Sequence, residues 1–136
     1  MRVVLDTDIL IAIIGRKSPF RWLFDTLLTG RITLCVTTPI LLEYREILEL
    51  KNGSEVAENM LNFLAVHPYV ERYEIYYDMQ LIDADPDGNI FANCAFASGV
   101  ILISHDGHFD GLRSLDFPQI ALVSITEFKA HFDAAL

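Results

Sequence analysis

The chain has 136 residues, a net charge of −9 and a hydrophobic fraction of 52%. This length suits one domain with a sizeable core. The negative charge argues against a protein that coats nucleic acid, since such binding neutralises phosphates with cations, but it does not exclude an enzyme that reaches phosphates through metal ions. The apolar run over residues 9–14 is far shorter than the ~18 residues of a membrane span. We therefore expect one domain over residues 1–136, in the cytoplasm and away from membranes.

Strands and helices are predicted to alternate along the sequence. Continuous apolar runs are typical of strands that are covered on both faces. Alternation of such strands with helices predicts crossover connections and a parallel sheet. The expected fold is therefore a three-layer α/β/α sandwich with about four to five strands. The predicted strands are RVVLD (2–6), ITLCV (32–36), VILIS (100–104) and ALVS (121–124).

Helix starts are marked by capping residues and by proline. Proline at the first helical positions and a hydroxyl residue before it are ordinary start signals. A buried helix over residues 90–97 should end at Gly99, because glycine readily adopts the left-handed conformation of a helix end. The other helices are predicted to begin at Ser18-Pro19, Thr38-Pro39, Ser54 and about Thr126, the last with a capping box of Ser124 and Glu127.

Carboxylates are expected to gather at one edge of the sheet. Asp6 ends the first strand and Asp106 follows the strand VILIS, and ligands of parallel α/β sheets bind outside the carboxyl ends of strands. Glu43 lies in the first or second turn of the helix after ITLCV, and Asp85 and Asp87 precede the buried helix. Two such charges ~4 Å apart repel each other by about 4 kcal/mol at an effective dielectric of ~20. The cluster must therefore take up protons or bind a cation.

The ligand chemistry favours Mg²⁺ or Mn²⁺ at this edge. Both are hard cations that prefer carboxylate oxygens, and no set of thiolates competes for zinc. Ions of this kind, completed by water and a substrate phosphate, hydrolyse phosphodiester bonds. The residues thus predict a metal-dependent phosphodiesterase.

Four stretches of the sequence resemble the PIN-domain family. They are VVLDTDIL, TTPILLEYREIL, DPDGNIFANCAFASGV and ILISHDGHF, in this order and over nearly the whole chain. The resemblance implies the same α/β/α sandwich and a metal-dependent ribonuclease, a class common among the toxins of bacterial toxin-antitoxin pairs. It also implies an RNA substrate and a small antitoxin protein as partner.

The resemblance assigns roles to individual acids. Asp6 matches the first metal ligand, Glu43 the second acid, and Asp106 the late acid after its strand. The third acid is ambiguous, because Gly88 replaces the second aspartate of a run in the most similar subgroup. The candidates are Asp85, Asp87 and Asn89, of which we favour Asp87.

Two further positions are expected to support the site. Asp8 stands where the family usually has asparagine, so it either adds a charge near the site or faces solvent. Ser104 fits the family's small hydroxyl position, where it is able to hydrogen-bond a carboxylate or a phosphate.

Three basic residues lie within six positions of one another, namely Arg16, Lys17 and Arg21. Such a cluster is ordinarily a solvated surface patch. Beside an acidic metal site it is a plausible guide for the phosphates of RNA.

Two other functions fit parts of the same sequence. VVLDTDIL and ILISHDGHFD resemble haloacid-dehalogenase-type phosphatases, in which Asp6 would be the nucleophile, although Leu10 occupies a position where that family has a hydroxyl residue. A catalytically inactive PIN-like binding module is the other alternative, which Gly88 leaves open. The high hydrophobic fraction further predicts a homodimer, because surplus apolar surface usually marks an interface.

Overall fold

The apolar runs of the sequence form a parallel β-sheet. The computed structural model describes residues 1–75, 78, 80, 88–114 and 119–134, without the side chains of His108 and Ser114. The sheet in this part of the chain has five strands in the order β3-β2-β1-β4-β5, and all neighbouring pairs are parallel. The strands are β1 (Arg2–Leu5), β2 (Thr33–Val36), β3 (Val70–Arg72), β4 (Ile101–Ile103) and β5 (Leu122–Val123).

Helices flank the sheet, so the predicted α/β/α sandwich is confirmed. No helix in the described part of the chain has both the length and the apolar character that a membrane span needs. A 3₁₀ segment, Gly107–Ser114, follows β4. The α-helices are α1 (Thr7–Ile14), α2 (Arg21–Leu28), α3 (Thr38–Asn52), α4 (Ser54–Val66), α5 (Asn89–Ser98) and α6 (Ile125–Ala134).

The core is centred on β1, the middle strand. Val3, Val4 and Leu5 are fully buried, which explains why this strand is apolar without alternation. The inner part of β4 is equally buried at Leu102 and Ile103. Apart from Arg2 at the exposed start of β1, charged side chains therefore lie beyond the ends of these strands.

The edge strand β3 is absent from the sequence prediction. Its sequence is Val-Glu-Arg, in which Glu71 and Arg72 are exposed and Val70 is half-buried. It pairs with β2 on one side, at the rim of the sheet. The predicted strands rested on continuous apolar runs, and a short, mostly polar edge strand contains no such run.

The predicted start of α2 is shifted, whereas α3 begins at Thr38 as predicted. Helix α2 begins at Arg21 instead of Pro19, because the Ser18 hydroxyl accepts a hydrogen bond from the Phe20 amide (3.1 Å) and forms a turn before the helix. Helix α3 is capped by Thr37, whose hydroxyl accepts from the Ile40 amide (3.3 Å), so Thr38 is its first helical residue.

The other helix ends follow the sequence closely. Gly99 ends α5 with φ 69°, a left-handed conformation that favours glycine. The capping box of α6 forms as predicted: the Glu127 amide donates to the Ser124 hydroxyl (3.1 Å), and the Ser124 amide donates to the Glu127 carboxylate (3.1 Å). Gly53, with φ 89°, makes the sharp connection between α3 and α4.

Candidate active site

The candidate site lies at the carboxyl ends of β1 and β4. These two strands are neighbours, and the chain runs from β1 to one side of the sheet and returns to the other side at β4. Such a reversal opens a crevice at the strand ends, where α/β proteins bind ligands. Asp6 directly follows β1, and Asp106 lies three residues beyond β4. The topology therefore places both carboxylates at the same crevice.

The crevice contains a cleft with a volume of about 210 Å³. It brings together Asp6, Glu43 and Asp106, which are remote from one another in the sequence. The described residues that line it are Asp6, Thr7, Asp8, Glu43, Ile47, Lys51, Gly88, Phe91, Asp106 and Phe109. Four of these ten residues are acidic and one is basic, so the cleft is strongly acidic.

Asp6 is the most buried of these carboxylates. Its side chain caps α1, because Oδ1 accepts a hydrogen bond from the Ile9 amide (2.9 Å). Its Oδ2 accepts from the Ser104 hydroxyl. The Ser104 oxygen in turn accepts from the Asp106 amide (3.0 Å). Ser104 thus links the ends of β1 and β4 and fixes the orientation of the Asp6 carboxylate.

Burial raises the pKa of Asp6 from its ordinary 3.8 to about 6. The hydrogen bonds from Ser104 and Ile9 oppose this rise, and the negative charges of Asp8 and Asp106 add to it. Near neutral pH the environment of Asp6 in the folded chain therefore destabilises its ionised form. A cation in the cleft would favour that ionised form, and perturbed carboxylates of this kind concentrate at functional sites.

Tyr44 anchors α3, the helix that also carries Glu43, to the end of β1. Its side chain is fully buried, and its hydroxyl donates a hydrogen bond to the Leu5 carbonyl (2.6 Å), one residue before Asp6. Burial raises the pKa of the Tyr44 phenol well above its ordinary value. Sequence reasoning missed this residue because a tyrosine in an apolar helix gives no sign of its partner.

Asp8 lies at the cleft and is exposed. Its carboxylate forms an ion pair with the ammonium group of Lys51 (3.6 Å), which comes from the last turn of α3. The prediction left open whether Asp8 adds a charge near the site or faces solvent, and in the structure it does both. Lys51 was not among the predicted site residues.

Two of the three candidates for the third acidic position fall outside what the structure describes. Asp85 and Asp87 both lie outside the described residues, so their roles stay predictions. Asn89 is the first residue of α5 and is buried, but it is not among the described residues that line the cleft. Gly88, directly before it, is one of the lining residues.

None of the predicted basic guide residues is among the described residues that line the cleft. Arg16 and Lys17 are exposed. Arg21 makes contacts within the fold: its guanidinium donates to the Ile14 carbonyl (2.7 Å) and pairs with Asp25 (3.2 Å). Of the three, Arg16 and Lys17 remain the candidates for a phosphate guide.

The donor chemistry of the cleft suits a hard divalent cation. Asp6, Glu43 and Asp106 supply carboxylate oxygens, and Thr7 adds a buried hydroxyl that has no hydrogen-bond partner among the described residues. The described residues contain no group of three or more histidine, cysteine, aspartate or glutamate side chains close enough to hold an ion. A complete ligand set therefore requires either a contribution from outside the described residues or a closer approach of these three acids.

The fold and the cleft define an α/β protein with an acidic site at the switch point of a parallel sheet. A family model described as the PIN domain matches residues 2–108. The chain belongs to the PIN-domain family, which confirms the resemblance seen in the sequence. No curated protein sequence matches the chain significantly.

Solved structures with the same fold cover nearly the whole chain. VapBC2 from Rickettsia felis, bound to a DNA fragment from its promoter, matches with a TM-score of 0.64 and 15% identity over 91% of this chain and 98% of that one. DNA-bound VapBC from Salmonella typhimurium matches with a TM-score of 0.62 and 15% identity over 92% and 98%. The PIN domain endonuclease Utp24 matches with a TM-score of 0.52 and 17% identity over 90% and 84%. At these identities the likeness shows the fold.

Proposed function

We propose that this PIN domain is a metal-dependent endoribonuclease and the toxin of a toxin-antitoxin pair. The observation that carries the proposal is the meeting of Asp6, Glu43 and Asp106 at one cleft on the carboxyl edge of the sheet. The PIN fold shared with an endonuclease supports a nuclease, and the fold shared with VapBC chains supports a toxin.

In this proposal the four acids Asp6, Glu43, Asp87 and Asp106 hold Mg²⁺ or Mn²⁺, with Asp85 as a further ligand. An ion held there would supply the charge that polarises the phosphate and activates a water molecule for attack. Asp6, Glu43 and Asp106 supply the negative charge that keeps the ion in place.

Ser104 and Tyr44 position these acids. Ser104 holds the Asp6 carboxylate through its hydroxyl, and Tyr44 fixes α3, and with it Glu43, relative to β1. Asn89, at the start of α5, is proposed as a supporting polar group.

The phosphatase alternative loses its support. The match to the PIN-domain model includes both the VVLDTDIL and the ILISHD stretches on which the resemblance to haloacid-dehalogenase-type phosphatases rested. An inactive PIN-like module remains the alternative outcome of the test below.

We further propose that the protein acts in the cytoplasm as one domain, as a homodimer that also binds a small antitoxin. Several large apolar side chains are exposed in the described part of the chain. On α3, Leu42 is 63% exposed and Leu50 is 77% exposed, and Val66 at the end of α4 is 80% exposed. We propose that a partner covers these side chains, as it does where exposed apolar groups form an interface.

Cleavage of RNA tests the proposal. The protein is incubated with structured and unstructured RNA in Mg²⁺, in Mn²⁺ and in EDTA. We expect cleavage of unstructured RNA in both metals, none in EDTA and none by Asp6→Asn. The matched control is Asp25→Asn, which removes an exposed carboxylate outside the cleft and should leave cleavage intact.

Cleavage that persists in EDTA would contradict the metal mechanism. If the unaltered chain and Asp25→Asn are both folded but neither cleaves RNA in either metal, the protein is the inactive PIN-like module.

A further inference from the structure

Lys51 is the one basic side chain among the described residues that line the acidic cleft. Glu43, Ile47 and Lys51 are spaced four residues apart on α3, so they form one row along the helix, and all three line the cleft. Eight residues of helix span about 12 Å. The backbone of Lys51 therefore lies about 12 Å along α3 from that of Glu43, while its ammonium group reaches Asp8 at the cleft.

The ion pair between Lys51 and Asp8 is readily exchanged. The Lys51 side chain is 56% exposed and that of Asp8 is 71% exposed, at a distance of 3.6 Å. A pair so open to water adds little to the stability of a fold. Lys51 is thus able to leave Asp8 for another anion at small cost.

The charge of the cleft makes such a cation useful to an RNA nuclease. The lining carries four carboxylates, those of Asp6, Asp8, Glu43 and Asp106, which repel the phosphates of an approaching strand. A metal ion held by these acids would offset this repulsion only close to itself. The neighbouring phosphates need a cation of the protein, and Lys51 is placed at the cleft, away from Glu43 along α3.

We propose that Lys51 binds a phosphate of the RNA strand that flanks the cleaved bond, and that Asp8 holds Lys51 at the cleft when RNA is absent. This inference rests on the proposed ribonuclease function and adds a substrate-binding residue to it. Binding exchanges one anionic partner of Lys51, the Asp8 carboxylate, for another, the phosphate.

RNA binding by the full chain tests the role of Lys51. A short fluorescein-labelled unstructured RNA is titrated in EDTA and followed by fluorescence anisotropy, and the KM and kcat of cleavage are measured in Mg²⁺. The variants are Lys51→Gln and Lys51→Arg. The control is Arg45→Gln, which removes one positive charge from an exposed position of the same helix that is not among the described cleft residues.

We expect Lys51→Gln to weaken RNA binding by about two- to fivefold, the range for one exposed ionic contact. The slope of log affinity against log salt should become shallower by about 0.7, as for one lost contact to a single-stranded phosphate. KM should rise while kcat changes little, because the contact lies outside the reacting bond. Lys51→Arg should retain binding, and Arg45→Gln should leave the salt slope unchanged.

The outcomes separate this inference from the function on which it rests. If the unaltered protein binds and cleaves RNA but Lys51→Gln behaves like Arg45→Gln, the role of Lys51 is wrong and the ribonuclease proposal stands. If the unaltered protein neither binds nor cleaves RNA, both are wrong. Thermal melts of Lys51→Gln should match the unaltered chain, so a loss of binding is not a loss of folding.

A double-mutant cycle tests the role of Asp8. We expect Asp8→Asn to strengthen RNA binding when Lys51 is present, because it removes a negative charge and releases the lysine. In the Lys51→Gln background the same change removes only the charge, so the gain should be smaller. Equal gains in both backgrounds would show that Asp8 does not hold Lys51.

Discussion

Replacing Asp6 by asparagine should stabilise the metal-free protein at neutral and alkaline pH. In the folded chain burial and neighbouring carboxylates raise the pKa of Asp6 to about 6, against an ordinary value of 3.8. The folded state therefore disfavours the ionised carboxylate that exists above this pH. Asparagine carries no charge and escapes this penalty.

The magnitude follows from the two pKa values. The difference between 3.8 and about 6 corresponds to roughly 3 kcal/mol of stability, present below pH 3.8 and lost as the pH rises through 6. Asparagine is also a good helix cap, so the Ile9 amide keeps an acceptor in a neutral bond, but the amide nitrogen that replaces Oδ2 is a donor, so the bond with the Ser104 hydroxyl has to reverse its direction. These weaker bonds offset part of the gain. We expect Asp6→Asn to be about 1 to 3 kcal/mol more stable at pH 8 in EDTA.

The gain should disappear in acid. Near pH 4 most of the Asp6 carboxyl in the folded protein is protonated and uncharged, so the two proteins should have nearly equal stability. Urea denaturation at a series of pH values between 4 and 8 measures the difference directly. Asp25→Asn is the matched control, and its effect on stability should stay within about 0.5 kcal/mol, as for most exposed substitutions.

Millimolar Mg²⁺ should stabilise the unaltered chain more than Asp6→Asn. An ion that binds only the folded state raises its stability by mass action, and Asp6→Asn removes one of the proposed ligands. A variant that is less stable than the unaltered chain at pH 8 in EDTA, by an amount that does not change with pH, would refute this reasoning. Asp6 would then be a structural helix cap.

Three further predictions concern the support of the site and its partners. Ser104→Ala removes a donor to the Asp6 carboxylate, so the pKa of Asp6 should rise further, measured by NMR titration of its carboxyl carbon; an unchanged or lower pKa would contradict the contact. Tyr44→Phe leaves the buried Leu5 carbonyl without its donor and should cost about 1 to 3 kcal/mol in urea denaturation, whereas no loss would mean that this bond does not hold α3. Light scattering at micromolar concentration should give the mass of a dimer, and a monomer would count against the homodimer.

The strands and helices that could be predicted were those whose signal is local. The runs around Val3 and Leu102 identified β1 and β4 because both faces of these strands are buried. The strand β3 had no such signal, since one of its three residues is apolar and it lies at the edge of the sheet. The start of α2 was placed too early because the turn at Ser18 looks like a helix cap in sequence.

The residues of the candidate site could likewise be predicted only where their signal lies in the local sequence or the strand order. The position of Asp6 and Asp106 at one edge follows from strand order in a parallel sheet, so the sequence was sufficient to predict it. Lys51 and Tyr44 act through contacts to Asp8 and Leu5 that depend on how α3 packs, and no local pattern encodes that packing. The basic residues after α1 were predicted as guides from their charge alone, yet Arg21 is engaged with Ile14 and Asp25.

A crystal of the protein soaked in Mn²⁺ tests the central claim most directly, because the anomalous signal of manganese locates the ion without any assay of activity. We expect an anomalous difference peak in the cleft, within coordination distance of Asp6 and Asp106, and no such peak in crystals of Asp6→Asn. A cleft without manganese in the unaltered protein, or a peak that persists unchanged in Asp6→Asn, would contradict it.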